Sequence, residues 1–238
     1  MRPQGVSSEY IHHRKHDIVL RLVSFSLPKG SVTAILGPSG SGKTTLLRVI
    51  AGFQDYGGGL FLDGRDIEDI PIPERHLAFV SQQRALYPRF TVFDNIAFPL
   101  RMAHMPAEEI RARVKEIAKD FGIELLLTRK PRQLSGGQQQ LVALARGVAN
   151  YADLFLLDEP FSEVDPPMRK KIYERISFLK EKYGMTFLLV THDPREATAI
   201  SDQLLIMDKG EILQAGTPQE IALHPLNANV VAILGGAS

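Results

Sequence analysis

Eight consecutive residues have the types and spacing of a loop that binds phosphate. They are Gly37, Pro38, Ser39, Gly40, Ser41, Gly42, Lys43 and Thr44, and we place Thr45 with them in the same site. Glycines let backbone N–H groups curl around phosphate oxygens, and the helix that follows adds the positive end of its dipole. Lys43 would reach the β and γ phosphates of a nucleotide, and Thr44 would bind Mg²⁺. The alternative is a glycine-rich structural turn.

Two acidic residues supply the second half of such a site. The apolar residues 154–157 predict a strand, and Asp158 and Glu159 follow it directly. At the carboxyl end of a buried strand, Asp158 can hold Mg²⁺ through water while Glu159 faces an attacking water. The alternative is a pair of solvated loop acids. Together with the loop, the two residues predict a site that binds a nucleoside triphosphate and Mg²⁺ and activates water.

The elements that must position these residues alternate between strands and helices. Apolar stretches 19–27 and 32–36, separated by Pro28-Lys29-Gly30, predict a hairpin that leads into a buried strand. Further strands are predicted at 60–62, 77–81, 154–157, 186–190, 203–207 and 211–214, and helices at 44–51, 166–183 and 194–201. Thr217, Pro218 and Glu220 have the pattern that begins a final helix.

The middle of the chain has a different character. Five apolar residues after Pro106 are spaced as one face of a helix: Ile110, Val114, Ile117, Ala118 and Phe121. We therefore predict one α/β domain over 1–238, with a mostly parallel sheet, an N-terminal antiparallel β-subdomain and an inserted α-helical subdomain. The core would comprise 1–83 and 152–238, and the insertion 84–151.

Composition narrows the possible functions. The 238 residues carry 28 Lys+Arg against 27 Asp+Glu, so the formal net charge of +1 gives no electrostatic attraction for nucleic acid. The absence of cysteine excludes thiolate catalysis and Cys-ligated metal sites. Because no apolar run approaches the length of a spanning helix, we expect any membrane role to come through a partner.

A second glycine-containing turn at the start of a helix indicates the family. The turn is Leu134-Ser135-Gly136-Gly137-Gln138, which by itself predicts a second anion site. This stretch, the phosphate loop, the Asp158-Glu159 strand and Val190-Thr191-His192-Asp193 resemble, in order and spacing, the ATP-binding subunits of ABC transporters. The resemblance covers nearly the whole chain and implies a P-loop NTPase core with ATP and Mg²⁺ as ligands.

The resemblance also implies roles for single residues. In that family two domains face head to tail, so Ser135, Gly136, Gly137 and Gln138 of one chain would close over the ATP held by the other. Gln82 would contact Mg²⁺ and the attacking water, His192 the γ-phosphate, and Asp165 would lie in the loop between the two ATP sites. Tyr10 is the position expected to stack on adenine, with His12 or His13 as alternatives.

Residues 90–96 and 99–101 are similar to the importer branch of this family. The resemblance implies that the surface around 83–105 receives a helix of a transmembrane permease. It also implies a second ATP-binding subunit, identical or different, an indirect partnership with a solute-binding protein, and a peripheral location on the cytoplasmic side of the membrane. The alternative is a soluble ABC-type ATPase without a transport role. The family's C-terminal regulatory domain is expected to be missing.

Three features depart from the family pattern or allow another interpretation. Gln139-Gln140-Leu141 stands where the family usually has an arginine, so either a structural ion pair or the closing of residues 135–138 onto ATP is expected to be weaker. Glu163 replaces a small or amide residue. His12, His13 and His16 are interpreted as a solvated hairpin tip rather than a metal site.

Overall fold

The computed structural model describes residues 2–12, 15–83, 85–162 and 164–235, with side chains from Val19 onward except that of Pro73. The strands are β1 (Arg2–His12), β2 (Lys15–Val23), β3 (Val32–Leu36), β4 (Gly57–Leu62), β5 (Arg65–Asp66), β6 (Leu77–Val80), β7 (Leu154–Asp158), β8 (Thr186–Thr191), β9 (Gln203–Asp208) and β10 (Glu211–Gly216). The α-helices are α1 (Lys43–Ala51), α2 (Val92–Met102), α3 (Ala107–Phe121), α4 (Gly136–Ala149), α5 (Pro166–Tyr183), α6 (Pro194–Ile200), α7 (Pro218–Leu223) and α8 (Ala228–Ile233).

The larger of two sheets has the strand order β10-β9-β3-β8-β7-β6. Neighbouring strands from β9 to β6 run parallel, and β10 pairs antiparallel with β9. Helices connect the parallel strands, because the chain must cross back over the sheet before it can begin another strand in the same direction. The mostly parallel sheet of the predicted α/β fold is therefore confirmed.

Both faces of this sheet are covered. Strands β3, β7 and β8 are buried at every position, which explains their continuous apolar sequences. Side chains alternate between the faces: Phe155 and Leu157 pack with residues of α2 to α6, whereas Leu154 and Leu156 pack with α1. The core thus consists of two apolar layers, one on each face of the sheet.

The smaller sheet is antiparallel, with the order β2-β1-β4-β5, and confirms the predicted β-subdomain. The predicted hairpin between stretches 19–27 and 32–36 is wrong. Strand β2 ends at Val23 and pairs with β1, while β8 and β9 occupy both edges of β3. The turn at Pro28-Lys29-Gly30 therefore connects two sheets instead of closing a hairpin.

Helices α2, α3 and α4 lie between β6 and β7 in the chain. All five residues predicted to form one face of a helix, from Ile110 to Phe121, are buried in α3, which begins after Pro106. Thr217 and Glu220 form the predicted capping box of α7, but α8 follows, so α7 is not the final helix. None of the described helices has both the length and the apolar character needed to cross a membrane.

Candidate functional site

The phosphate loop connects β3 to α1, and its glycines are required for two reasons. Gly40 and Gly42 have φ values of 80° and 102°, which are left-handed and favour glycine. Gly37 is restricted by contact, because a Cβ there would lie 2.0 Å from the carbonyl oxygen of Met207 in β9. The loop is thus curled by its own backbone and pressed against a neighbouring strand.

Lys43 lies inside this loop, with only 7% of its surface exposed. Its Nζ donates to the carbonyl oxygens of Gly37 at 2.8 Å and Pro38 at 2.9 Å. Burial lowers the pKa of Lys43, although the carboxylates of Glu159 and Asp158 act against the shift. The ammonium group is therefore held by carbonyls that phosphate oxygens could replace. Within the described residues, the buried Oγ of Ser41 in the same loop has no hydrogen-bond partner.

Thr44 and Asp158 meet at the edge of the sheet. The Oγ1 of Thr44 donates to Oδ1 of Asp158 at 2.8 Å, and 7% of Asp158 is exposed. A hydroxyl and a carboxylate are the oxygen ligands that Mg²⁺ prefers, and Mg²⁺ commonly takes few protein ligands together with phosphate oxygens. The pair therefore fits a magnesium ion that is shared with a bound nucleotide.

Glu159 and His192 form a second pair beside the loop. Nδ1 of His192 lies 3.0 Å from both carboxylate oxygens of Glu159. This hydrogen bond is the largest cause that raises the pKa of His192, and the negative charge of Glu159 raises it further. Glu159 has a φ of 48°, unusual for a residue other than glycine, and its N–H donates to the Val190 carbonyl oxygen at 3.1 Å. Backbone strain of this kind concentrates at functional sites.

The strand order explains why these residues converge. Strands β3, β8, β7 and β6 are neighbours in that sequence, and their carboxyl ends lead to the phosphate loop, His192, Asp158 and Gln82 respectively. Gln82 is exposed two residues beyond β6, on the same edge as the other groups. The sheet thus brings together groups that lie up to 155 residues apart, from Gly37 to His192.

The stretch 135–138 occupies another place, at the start of α4. Ser135 and Gln138 form a capping box: the Gln138 N–H donates to Ser135 Oγ at 3.3 Å, and Gln138 Oε1 accepts from the Ser135 N–H at 3.0 Å. Helix α4 packs on α2, α3, α5 and β6. Among the described residues, no hydrogen bond or ion pair joins Ser135 to the phosphate loop of its own chain.

Gly137 has a packing role that its sequence position alone does not reveal. A Cβ on Gly137 would lie 2.0 Å from Cγ of Met168 and 3.2 Å from Cγ1 of Val164. Asp165, the predicted loop aspartate, caps α5 by accepting from the Met168 N–H at 3.2 Å. The stretch 135–138 is therefore pressed against the beginning of α5.

Several predicted positions fall outside what the structure describes. The side chains of Tyr10, His12 and His16 are not described, and His13 and Glu163 lie outside the described residues. Leu141, which stands where an arginine was expected, is buried in the apolar core.

Sequence analysis missed two neighbours of this site. Glu196 and Arg169 form an ion pair at 3.0 Å in contact with the His192 loop. The only feature of the sequence that could have indicated this pair is the acidic residue Glu196, four residues after His192. Ala232 and Ile233 of the unexpected α8 line a cavity of about 340 Å³ together with Gly37, Pro38 and His192.

Comparison with known proteins gives matches in both sequence and structure. Residues 20–162 match the sequence model of the family described as ABC transporter. The spermidine/putrescine import ATP-binding protein PotA of Mannheimia succiniciproducens is 45% identical over 213 residues, which are 89% of this chain and 57% of the relative. PotA of Thermotoga maritima is 44% identical over 218 residues, which are 91% of this chain and 59% of the relative. The chain spans a little over half the length of these two relatives.

Solved structures show the same fold. The dimeric ATP-binding cassette MJ0796, bound to ADP and Pi in a post-hydrolysis state, matches with a TM-score of 0.82 and 31% sequence identity. The match covers 91% of this chain and 98% of the cassette. A second dimeric structure of MJ0796, described as a bacterial ABC transporter cassette, matches equally well. The family match over 20–162 and this nearly complete structural match establish that the chain belongs to the ABC transporter family.

Proposed function

We propose that this chain binds and hydrolyses ATP as a subunit of an ABC transporter that imports a small solute. The carrying observation is the set of groups at one edge of the sheet: the buried Lys43, the Thr44–Asp158 pair and the Glu159–His192 pair. The import names of the PotA relatives support the direction of transport, and their polyamines are the first solutes to test.

Phosphate binding rests on the loop and its lysine. Backbone N–H groups of residues 37–45 and the N-terminus of α1 would surround the β and γ phosphates, while Lys43 exchanges its carbonyl partners for phosphate oxygens. Thr44, Asp158 and Gln82 would hold Mg²⁺, which neutralises negative charge on the phosphates. Tyr10 is proposed to stack on adenine.

Water activation belongs to Glu159. Its carboxylate would accept a proton from the attacking water, at a strand end that the backbone conformation fixes. His192 would donate to the γ-phosphate, where negative charge grows during the transfer. The hydrogen bond between the two side chains keeps the imidazole oriented before ATP arrives.

A second ATP-binding subunit would complete each site. We propose that Ser135, Gly136, Gly137 and Gln138 of one copy close over the nucleotide of the other, with Asp165 between the two sites. The first turn of α4 supports this role, because its N–H groups and helix dipole favour an anion. The dimeric state of MJ0796 is consistent with the same arrangement.

The permease is proposed to dock on a groove of about 330 Å³, which is lined by apolar residues together with Arg146 and Asn150. Its lining includes Phe79, Tyr87, Phe98 and Met102, and Met102 is 61% exposed. Phe53, 64% exposed, packs edge-to-face on Phe79 and extends the apolar surface. An exposed apolar surface of this kind is typical of a protein–protein interface.

A buried amide gives the edge of this groove a fixed shape. The amide of Asn95 donates to the carbonyl oxygens of Tyr87 at 3.2 Å and Thr91 at 2.9 Å, and its Oδ1 accepts from the Tyr87 N–H at 2.8 Å.

Through the permease, the chain would be peripheral to the cytoplasmic face of a membrane and would act indirectly with a solute-binding protein. A soluble, non-transport ATPase lacks a comparable supporting observation.

The Glu159→Gln substitution tests this function in the subunit assembled with its permease. Loss of the proton acceptor is expected to slow ATP hydrolysis by about 10² to 10⁴-fold while ATP binding is retained. Glu181→Gln, the same change at an exposed position of α5, is the matched control and should turn over normally. Near-normal hydrolysis by Glu159→Gln would contradict the role given to this residue.

A further inference from the structure

A buried ion pair lies behind the loop that carries His192. Glu196, in the first turn of α6, is 6% exposed, and its Oε1 is 3.0 Å from NH1 of Arg169 on α5. Its other oxygen, Oε2, accepts from the hydroxyl of Thr191 at 2.6 Å. A carboxylate removed from water in this way depends on partners for its stability, so its geometry is tightly determined.

Arg169 extends the pair towards a second loop. Its NH2 donates to the carbonyl oxygen of Val164 at 3.2 Å, immediately before Asp165, the N-cap of α5. Its NH1 also lies 3.9 Å from Oδ2 of Asp193. One planar guanidinium therefore contacts both the 164–165 loop and the 191–193 loop, a reach that the single ammonium of a lysine does not reproduce.

The same contacts hold His192 from both sides. Thr191 Oγ1 donates to Glu196 and accepts from the N–H of Asp193 at 3.1 Å, so the residues before and after His192 are fixed to the pair. His192 then donates to Glu159. A continuous path of contacts leads from Val164 through Arg169, Glu196 and Thr191 to the reacting groups.

We propose that Arg169 and Glu196 act as a positioning pair, which sets the orientation of His192 and links it to the 164–165 loop. This inference rests on the proposed ATPase function, in which that loop lies between the two ATP sites. When the 164–165 loop packs against a second copy, the pair would transmit the resulting change in position to His192 of the same chain.

The test is Glu196→Gln in the complete transporter, at a temperature well below unfolding. We expect kcat to fall about tenfold and KM for ATP to stay within about twofold, because ATP binding does not use the pair. The His192→Ala background provides the decisive readout, measured by single turnover. If Glu196 acts through His192, adding Glu196→Gln to His192→Ala should change the single-turnover rate of ATP hydrolysis by less than about twofold.

Two further variants keep the test independent of folding defects. Arg169→Met, at a side chain that is 30% exposed, should reproduce the loss, and Arg169→Lys should restore only part of it. Lys180→Met removes another ion pair of α5, to Asp202, and should leave kcat unchanged.

Each result is decisive. A normal kcat in Glu196→Gln, or an equal loss in the His192→Ala background, would overturn the positioning role while leaving the ATPase function intact. Failure of the proposed function would be seen separately: the unmodified chain would then hydrolyse ATP no faster than Glu159→Gln.

Discussion

At the residue scale, the pair formed by His192 and Glu159 gives the site a measurable property. The carboxylate favours the protonated imidazole through a hydrogen bond and through its charge, so the pKa of His192 is raised. Because the raised value belongs to the folded state, the pair's stabilisation is present below the unfolded-state pKa and is lost as pH rises through the folded pKa. The contribution is small, since 63% of the His192 side chain is exposed.

Glu159→Gln should therefore lower the pKa of His192 towards its ordinary value, because an amide carries no charge. The measurement is an NMR titration of the histidine rings, with His192→Ala used to assign the resonance. Glu181→Gln serves as the control and should leave the titration unchanged. An unaltered His192 pKa in Glu159→Gln would show that the carboxylate is not the cause of the shift.

Local spacing predicted the phosphate loop and the Asp158-Glu159 pair, and the family resemblance predicted Gln82 and His192, but neither revealed the contacts that support these residues. The phosphate loop is a short pattern, so its glycines and Lys43 could be placed without a structure. Arg169 and Glu196 are 27 residues apart, and neither lies in a recognisable pattern. Only the structure, which brings the two side chains within 3.0 Å of each other, reveals that they form a pair.

At the element scale, the contact between α4 and α5 requires a glycine in the first turn of α4. A methyl group at position 137 would meet Met168 near its backbone as well as Val164, so the two elements would have to separate. Gly137→Ala should therefore destabilise the fold by about 1–2 kcal/mol, since an overpacking cost of about 1–3 kcal/mol exceeds the gain in helix propensity. Chemical denaturation measures the difference.

Met168→Ala supplies the matched rescue for this prediction. The shorter alanine side chain lacks Cγ, the atom closest to the new methyl group. The double variant should therefore lose less free energy of unfolding than the sum of the losses in the two single variants. Additive losses, or a Gly137→Ala variant as stable as the unmodified chain, would contradict the contact.

Elements with strong end signals were predicted most accurately. Helix α5 has the predicted bounds, 166–183, because Asp165 and two prolines begin it and Gly184 ends it in a left-handed conformation. The hairpin prediction failed because strand pairing is not local: β2 pairs with β1, and β3 with β8 and β9. The short α8, only six residues long, gave too little periodicity to predict.

At the scale of the whole molecule, the two features predicted to bind anions belong to different elements. The phosphate loop lies between β3 and α1, whereas Ser135 is the N-cap of α4, which packs on α2, α3, α5 and β6. Each feature would be half of a site, and a head-to-tail dimer would join the halves of two copies. Dimer formation should therefore require both ATP and an intact first turn of α4.

The prediction is made in the Glu159→Gln background, where bound ATP is expected to persist. Adding ATP should convert this variant from monomer to dimer in analytical ultracentrifugation, because phosphates held by one loop offer an anion to the helix of the other copy. Ser135→Arg in the same background should block the dimer by placing a bulky side chain at that contact, while ATP binding stays unchanged.

Thr217→Arg is the matched control for Ser135→Arg. Both residues are exposed N-caps with capping boxes, so each substitution removes the same kind of cap at a cost of about 1 kcal/mol. Only Ser135 lies at the proposed contact, so the Thr217→Arg variant should still dimerise with ATP. An ATP-dependent dimer that survives Ser135→Arg would show that the two copies meet through another surface.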